Sequence, residues 1–246
     1  MKEKIKEAAL LLKNSNYTIV FTGAGISVES GIPPFRGENG LWNTYDPSFL
    51  EISQFLNYPI ESWKLVKEVF YDFFGQAKPN KAHIAIAEME KQGIINRVIT
   101  QNIDNLHTEA GSQAVLEFHG NSRELVCTNC PKRYKKDIVE QQEIPLCDDC
   151  HSLLKPDFVF YGEAIPEPTG SQSFSEGMKA EVMLIIGTTG EVMPACNIPY
   201  YAKRNKAKII EINPIKSNYT DQITDIFLAG KATEIMISLQ DEISLL

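Results

Sequence analysis

The sequence predicts an α/β fold, in which a parallel sheet carries helices on both faces and a small domain is built from two insertions. Short apolar runs recur along the chain, and helix-like stretches at 83–92 and 195–204 lie between several of them. This alternation is typical of parallel sheets that are covered on both sides. The apolar runs expected to form strands are 17–21, 97–100, 157–160, 182–186, 208–212 and 225–228.

Composition is that of an ordinary folded protein, with 43% hydrophobic and 23% charged residues in a chain of 246. The formal charge of -8 and the scattered Lys and Arg residues disfavour nucleic acid as the main partner. Residues 1–16 form a charged amphipathic pattern instead of a signal peptide. No apolar run approaches the roughly 20 residues that span a bilayer, so we expect a cytoplasmic protein without a membrane partner.

Two stretches interrupt the alternation, and both are expected to leave the sheet. The first is rich in aromatic residues and helical in pattern, and the second holds two pairs of cysteines. We therefore predict a large domain from residues 1–37, 80–122 and 157–246, and a small domain from 38–79 and 123–156. Residues 162–177 contain several Pro, Gly and Ser residues, and they predict a loop before a short helix.

Four cysteines predict a structural zinc site. Cys127 and Cys130 form one CxxC pair, Cys147 and Cys150 form another, and sixteen residues separate the pairs. This is ribbon-type zinc spacing, and four thiolates fill a tetrahedral ion without leaving room for a reactive water. The alternatives are unrelated reduced cysteines or a redox CxxC, but a lone redox motif does not require a second pair. We expect His151 to be a solvated neighbour of this site.

A glycine-rich turn follows the first predicted strand and opens a predicted helix. Its residues are Gly23, Ala24, Gly25, Ile26 and Ser27. Glycines in this context let backbone N–H groups approach a diphosphate. The third glycine of the dinucleotide fingerprint is missing, however, and no acidic residue ends an obvious second strand at the usual distance. A hydride-transferring Rossmann enzyme is therefore a poor fit, and the turn alone leaves open a plain strand-turn-helix without a nucleotide.

Further polar and aromatic groups are expected at the same edge of the sheet. Phe35 and Arg36 stand side by side in a proline-containing turn, where a ring and a guanidinium suit a planar group and a phosphate. The segment 101–104 ends one strand, His119 stands beside a glycine, and 187–189 and Asn213 end two further strands. Together these groups predict a cofactor site.

The motifs GAGIS, GIPPFRG, TQNID, FHG, FYGE, GTT and EINP, together with the two CxxC pairs, occur in this order between about residues 17 and 232. In this combination the chain resembles the sirtuins. The resemblance implies a Rossmann-like domain with a small domain made of a zinc module and a helical insertion. It also implies NAD-dependent removal of acyl groups from protein lysines, with NAD as co-substrate and one structural zinc ion.

The resemblance assigns roles to individual residues. His119 is the general base, and Asn102 is counted with it as catalytic. Ala24, Ser27 and Arg36 would lie near the diphosphate, Gln101 and Asn102 near the nicotinamide ribose, and Ile103 and Asp104 near the carboxamide. The full set of cofactor-binding residues expected is Gly23, Ala24, Gly25, Ser27, Phe35, Arg36, Gln101, Asn102, Ile103, Asp104, Gly187, Thr188, Thr189, Asn213 and Ala232.

The implied chemistry suits these residue types. The acyl oxygen of an acyl-lysine attacks the ribose carbon that bears nicotinamide, while Asp104 holds the leaving group. His119 then accepts a proton from a ribose hydroxyl, a task for an imidazole that titrates near neutrality. The products would be lysine, nicotinamide and O-acyl-ADP-ribose. His83 and His107 lack such neighbours in the sequence, and we expect them to be structural.

Acyl-lysine peptides would bind as an added strand between the two domains, held largely by backbone hydrogen bonds. The residues expected to contact them are Val159, Phe160, Tyr161, Gly162, Glu163 and Val192. Pro34 departs from the resemblance, because the sirtuins commonly have Asp or Thr there. Val66 and Val69 occupy the places of the Tyr and Arg that receive succinyl groups in some sirtuins, which predicts a preference for acetyl or longer aliphatic acyl groups.

Two other functions share the same pocket. An ADP-ribosyltransferase or NAD glycohydrolase would send ADP-ribose to a protein or to water, and peptide-dependent NAD turnover separates these activities from deacylation. A non-enzymatic NAD-sensing module is favoured only if His119 is misplaced from the ribose.

Overall fold

The computed structural model describes residues 1–35 and 40–246, which form a mixed α/β structure. The strands are β1 (Thr18–Thr22), β2 (Arg97–Thr100), β3 (Val115–Glu117), β4 (Gly120–Cys127), β5 (Arg133–Lys135), β6 (Leu154–Phe158), β7 (Val182–Ile186), β8 (Lys208–Asn213) and β9 (Ile226–Ala229). The α-helices are α1 (Lys2–Asn14), α2 (Ile52–Asn57), α3 (Pro59–Val66), α4 (Lys81–Lys91), α5 (Leu106–Glu109), α6 (Ile138–Gln141), α7 (Thr169–Lys179), α8 (Ile198–Arg204) and α9 (Ala232–Ser244). A π-helix at Lys67–Phe73 continues α3, and 3-10 helices lie at Ala24–Ser30, Leu41–Asn43, Pro47–Leu50, Phe74–Gln76 and Ala195–Asn197.

The larger sheet is parallel throughout and has the order β3-β2-β1-β7-β8-β9. Successive strands run outwards from β1 on one side and from β7 on the other, which is the doubly wound arrangement of dinucleotide-binding sheets. The strand order reverses between β1 and β7. Ligands of such sheets bind in the crevice outside the carboxyl ends of the strands at this reversal.

Burial on both faces explains why the strands read as continuous apolar runs. Along β1, Ile19 and Phe21 point into one hydrophobic cluster and Val20 into another, and all three are fully buried. Helices α1, α4 and α9 contribute side chains to the Val20 cluster. Helix α8 covers the opposite face, and Phe174 of α7 packs against the same cluster. The predicted two-faced α/β sheet is confirmed.

A second, antiparallel sheet has the order β5-β4-β6 and carries the cysteine pairs. Its apolar side chains share one hydrophobic cluster with the helical segment between the first two strands of the chain. Trp63 of α3 is fully buried there and donates from Nε1 to the carbonyl of Leu154 in β6, 3.0 Å away. The helical and cysteine-bearing segments therefore pack as one unit. The domain boundaries themselves stay a prediction.

One predicted strand was assigned to the wrong sheet. We expected residues 157–160 to join the parallel sheet, but β6 pairs antiparallel with β4, with Leu154 opposite Cys127 and Pro156 opposite Leu125. A short apolar run has the same appearance in either kind of sheet, so periodicity does not distinguish them. The segment predicted as a loop before a short helix contains the eleven-residue α7.

The strand β3 at Val115–Glu117 was not predicted, and three residues are too few to produce a pattern. Helix α4 and the 195–204 segment agree with prediction to within two residues. Over the described part of the chain, no helix combines the length and the apolar character needed to cross a bilayer.

Candidate active site

Two glycine-containing turns meet at the crevice between β1 and β7. The N–H of Gly25 donates to the carbonyl of Gly187 at 2.8 Å, and the N–H of Gly23 donates to Ile186 at 3.0 Å. A Cβ atom on Gly25 would lie 2.6 Å from the Cα of Gly187, and Gly187 itself has a φ of +65°. Only glycines allow this approach. The glycines thus let the two turns pack backbone against backbone, and the expected contact of the turn after β1 with a diphosphate stays a prediction.

His119 lies at the end of β3 with a defined tautomer. Its Nδ1 is 2.9 Å from the carbonyl oxygen of Gln101. Because a carbonyl only accepts hydrogen bonds, Nδ1 must donate, and Nε2 is left with its lone pair. Burial lowers the pKa of His119 below the ordinary 6.5, and the bond to Gln101 opposes this in part. The imidazole is therefore neutral and able to accept a proton near neutral pH.

Gln101 connects the ends of three strands. Its Nε2 donates to the carbonyl of Thr22 at 3.3 Å and to the hydroxyl of Thr188 at 3.2 Å. Asn213, at the end of β8, donates from Nδ2 to the carbonyl of Thr188 at 3.0 Å. A continuous series of hydrogen bonds thus runs from His119 to Asn213. The residues expected at the two ends of the cofactor belong to one network.

A second network holds Asn102, Ser27 and Asp104. Asn102 donates from Nδ2 to the carbonyl of Gly23 and to Ser27 Oγ, both at 3.2 Å. Ser27 donates to Asp104 Oδ2 at 2.6 Å, and the N–H of Leu106 donates to Oδ1 at 3.0 Å. Burial raises the pKa of Asp104, and these hydrogen bonds oppose the rise. The buried Ser27 hydroxyl is thus engaged with Asp104, and its expected contact with a diphosphate stays a prediction.

The other expected cofactor residues lie around these networks. Phe35 is partly exposed, and its ring centroid is 5.3 Å from that of Trp42. Ile103 lines a small cavity together with Asp104. Ala24 is partly exposed in the turn after β1, Thr189 is exposed after β7, and Ala232 is buried at the start of α9. Arg36 lies outside the described residues.

The expected peptide-binding segment follows β6. Its backbone is tied to the helical insertion, since the N–H of Tyr161 donates to Leu50 at 2.8 Å and its carbonyl accepts from Ile52 at 3.0 Å. Its other end is tied to the segment that carries His119, because the N–H of Val159 donates to the carbonyl of His119 at 2.9 Å. Within the described residues, the carbonyl of Val159 and both backbone groups of Gly162 form no hydrogen bond. They are available to an added strand.

Lys155 was missed by the sequence reasoning. It is buried, and its Nζ donates to the carbonyls of Pro156 and Phe158, each at 3.0 Å. The same ammonium lies 3.2 Å from Glu163, which accepts the N–H of Phe160 at 2.8 Å. Burial lowers the pKa of Lys155, and Glu163 opposes the shift. This pair fixes the segment expected to bind peptide, with Phe160 buried and Glu163 and Val192 partly exposed.

The two remaining buried histidines lie behind the site. Burial lowers the pKa of His83 to about 4 and that of His107 well below its ordinary value. Their ring centroids are 4.9 Å apart, and His107 Nε2 is 3.0 Å from the hydroxyl of Thr22. Both are enclosed and neutral, as a structural role requires.

The four cysteines converge as expected. Their Sγ atoms all lie within 4.8 Å of one another, with 3.4 Å between Cys127 and Cys150 and 3.6 Å between Cys130 and Cys147. Tetrahedral zinc with bonds of about 2.3 Å separates its sulfurs by roughly 3.8 Å, so the four fit this ion. Backbone N–H groups at Asn129 and Cys130 point at Cys127 Sγ, each at 3.4 Å, and stabilise a thiolate.

Comparisons with known proteins show which family the chain resembles. The model of the Sir2 family matches residues 23–194. An NAD-dependent protein deacylase of Pyrococcus furiosus is 46% identical over 244 residues, which cover 96% of this chain and 97% of that protein.

Solved structures extend the similarity to the fold. A Sir2 variant in complex with a deacetylated p53 peptide and 3'-O-acetyl ADP-ribose superposes with a TM-score of 0.91 at 36% identity, covering 97% of this chain and 98% of that one. Sir2Tm bound to a propionylated peptide gives a TM-score of 0.89 at 35% identity, covering 98% and 99%.

Proposed function

The chain belongs to the Sir2 family, and on that premise we propose that it removes acetyl or other aliphatic acyl groups from protein lysines with NAD as co-substrate. The products are nicotinamide and O-acyl-ADP-ribose. One observation carries the proposal: the hydrogen bond from His119 Nδ1 to the Gln101 carbonyl, which leaves Nε2 as a base at the crevice. The similar Sir2 structures that hold acetyl-ADP-ribose and a propionylated peptide support it.

Different residues of this chain have different roles in the proposed reaction. Bound NAD supplies an electrophilic ribose carbon that carries a cationic leaving group. The glycine turns after β1 and β7 receive its diphosphate, and Asp104 holds the carboxamide of the departing nicotinamide. Asn102 and Gln101 orient the nicotinamide ribose. His119 would accept the proton of a ribose hydroxyl through Nε2, so that the hydroxyl oxygen attacks the carbon derived from the acyl group. The C–N bond to lysine then breaks, the amine leaves with a proton, and one water adds to the same carbon to complete O-acyl-ADP-ribose.

The substrate lysine arrives on an extended peptide. We propose that this peptide adds a strand between Val159–Gly162 on one side and Val192 on the other. The unpaired carbonyl of Val159 and the unpaired backbone groups of Gly162 supply hydrogen bonds to it. Because backbone groups carry most of this recognition, many acyl-lysine proteins would qualify as substrates.

A stoichiometric assay tests the function. Acetyl-, propionyl- and butyryl-lysine peptides of one sequence are incubated with NAD, and lysine peptide, nicotinamide and O-acyl-ADP-ribose are measured by mass spectrometry. We expect the three products in a 1:1:1 ratio, with no NAD turnover when peptide is omitted. Peptide-independent release of ADP-ribose, or its transfer to a protein, would replace the proposal with glycohydrolase or transferase activity.

A further inference from the structure

Glu211 is a fully buried acid in the middle of the parallel sheet. It lies on β8 between Ile210 and Ile212, and its exposed fraction is 0%. No Lys, Arg or His in the described part of the chain forms an ion pair with it. An isolated buried carboxylate is costly unless hydrogen bonds compensate it. A position of this kind needs a structural or functional reason.

Neutral donors surround the carboxylate. Oε1 accepts from Ser217 Oγ at 2.6 Å, and Oε2 accepts from Thr224 Oγ1 at 2.7 Å. Thr220 Oγ1 lies 3.0 and 2.9 Å from the two oxygens. The fourth donor is Asn213 Nδ2, 3.1 Å from Oε1. Three of these donors order the loop between β8 and β9, and the fourth belongs to the crevice.

The contact with Glu211 fixes the orientation of the Asn213 amide. One hydrogen of Nδ2 goes to Glu211 and the other to the carbonyl of Thr188, and both partners only accept. A flipped amide would place oxygen against oxygen at both contacts. Asn213 Oδ1 has no partner among the described residues, and Asn213 ends β8 beside Thr188, so Oδ1 is left as an acceptor at the edge of the sheet where the crevice lies. The residue therefore presents an acceptor there and not a donor.

We propose that Glu211 is a positioning residue that holds Asn213 as an acceptor for a hydroxyl of the adenosine ribose, and that it thereby excludes dinucleotides with a phosphate on that ribose. This inference rests on the proposed function, which places NAD in the crevice. A ribose hydroxyl donates to Oδ1. A 2'-phosphate puts its own acceptor oxygens against an acceptor that cannot flip.

Calorimetric binding of four ligands tests the proposal. The ligands are ADP-ribose, its 2'-deoxy and 3'-deoxy analogues on the adenosine ribose, and 2'-phospho-ADP-ribose. For the wild type, we expect one deoxy analogue to bind about three- to tenfold more weakly than ADP-ribose, as for the loss of one neutral hydrogen bond. The 2'-phospho ligand should bind at least about tenfold more weakly. Equal affinity for 2'-phospho-ADP-ribose and ADP-ribose in the wild type would overturn the proposal without any variant.

The matched variants are Glu211→Gln and Glu234→Gln, of which the second changes an exposed acid on α9. The amide of Glu211→Gln can donate to Asn213, so the Asn213 amide is free to flip. In the Glu211→Gln variant, the ratio of the Kd values for the deoxy analogue and for ADP-ribose should fall below about twofold. The Glu234→Gln variant should keep the wild-type ratio. A general loss of fold would weaken the binding of all four ligands and raise the KM for peptide. For Glu211→Gln, we expect only the KM for NAD to rise.

The possible outcomes distinguish a failure of the role proposed for Glu211 from a failure of the proposed deacylase function. If the wild type neither binds ADP-ribose nor turns over NAD, the proposed function fails. If the wild type does both and Glu211→Gln keeps the full hydroxyl discrimination, only the role of Glu211 fails. Should Glu211→Gln not fold, Asn213→Ala takes its place, and it must abolish the same discrimination for the proposal to stand.

Discussion

The imidazole of His119 is bound to the main chain of Gln101, with 2.9 Å between Nδ1 and the carbonyl oxygen. This bond separates the two functions of the ring, because one nitrogen anchors it and the other is free to accept a proton. The same Gln101 side chain reaches Thr188 after β7. The base is therefore positioned by the residues that are expected to hold the cofactor.

Replacing the base tests this arrangement directly. We expect His119→Ala to lower kcat by at least about a hundredfold, the low end of general-base catalysis, and to change the Kd for NAD by less than about threefold. The ring is needed only after NAD has bound, and Gln101 keeps its side-chain contacts. The control is His151→Asn, because His151 is exposed and has a φ of +57°, which Asn tolerates. Near-normal turnover by His119→Ala would remove the residue from its role.

The lowered pKa of His119 sets the pH dependence. Protonated imidazole cannot accept a proton, so activity is lost as pH falls through the pKa and is retained above it. Because burial places this pKa below 6.5, we expect kcat/KM to exceed half of its plateau value at pH 6.5. A pH titration of His119 by NMR should give the same midpoint. An acid limb centred at or above pH 7 would contradict the buried, neutral base.

Zinc removal should affect the whole hydrophobic cluster that the cysteine-bearing sheet shares with the helical insertion. Cys127 and Cys147 are buried in the same cluster as Phe70 and Phe158, so their loss unpacks more than the metal site. We expect one zinc per chain, and we expect the Cys127→Ser, Cys147→Ser double variant to lose it. The unfolding free energy should fall by roughly 3 kcal/mol or more, which lowers Tm by about 6–12 °C.

The control for the zinc experiment is the fifth cysteine. Cys196 lies far from the cluster in sequence, is buried, and does not belong to the group of converging thiols among the described residues. Cys196→Ala should retain full zinc content. A metal-free double variant with unchanged Tm and activity would show that the ion has no structural role.

Much of the site was predictable because its residues stand at strand ends. Parallel strands place their carboxyl ends at one edge, so the segments after β1, β2, β7 and β8 had to converge once the strands were recognised. The sheet assignment of 157–160 was not predictable in this way, since local apolarity is the same in either sheet. Only the pairing of Leu154 with Cys127 across the cysteine module decides it.

Glu211 and Lys155 were not predictable for a different reason. Each is a charged residue within a largely buried strand, and a charged residue alone predicts either an exposed side chain or an interruption. Their roles depend on partners distant in the sequence or on backbone carbonyls, such as Thr224 for Glu211 and Phe158 for Lys155. A charged residue flanked by core residues is a signal of a buried polar network, but the network itself requires the fold.

Acyl preference follows from the helical insertion. Val66 and Val69 have exposed fractions of 0% and pack with aromatic side chains. Lys67 lies between them, and its Nζ donates to the carbonyl of Gln142, which directs the ammonium towards the cysteine module. Among these three described residues, none offers a cation to a succinyl carboxylate at the places of the Tyr and Arg, so the carboxylate would be costly to desolvate there. We expect acetyl removal to exceed succinyl removal at least about tenfold in kcat/KM.

Matched peptides that differ only in the acyl group measure this preference. Butyryl-lysine serves as the control for size, because it is similar in length to succinyl-lysine and lacks the charge. Butyryl removal should resemble acetyl removal to within about tenfold. If succinyl is removed faster than acetyl, the places of the Tyr and Arg have been misassigned.

Pro34 is the clearest departure from the sirtuin pattern, and its effect on NAD binding should be small. It supplies no N–H and stiffens its own turn, whereas a polar side chain there would add a hydrogen bond. A neutral hydrogen bond contributes about 0.5–1.5 kcal/mol net to binding. A compatible proline contributes about 0.4–1 kcal/mol through chain entropy, so the two effects nearly cancel. The carbonyl of Pro34 accepts from Leu41 at 2.8 Å, and any residue retains that bond.

The test is Pro34→Asp, with Pro33→Ala as the neighbouring control. We expect the KM for NAD to change by less than about tenfold, which corresponds to roughly 1.4 kcal/mol, with kcat nearly constant. We expect the hydrogen bond from the N–H of Trp42 to the Phe35 carbonyl, 3.1 Å long, to persist in the variant while the mobility of the loop rises. An inactive wild type that gains deacylation through Pro34→Asp would instead identify Pro34 as the residue that disables the site.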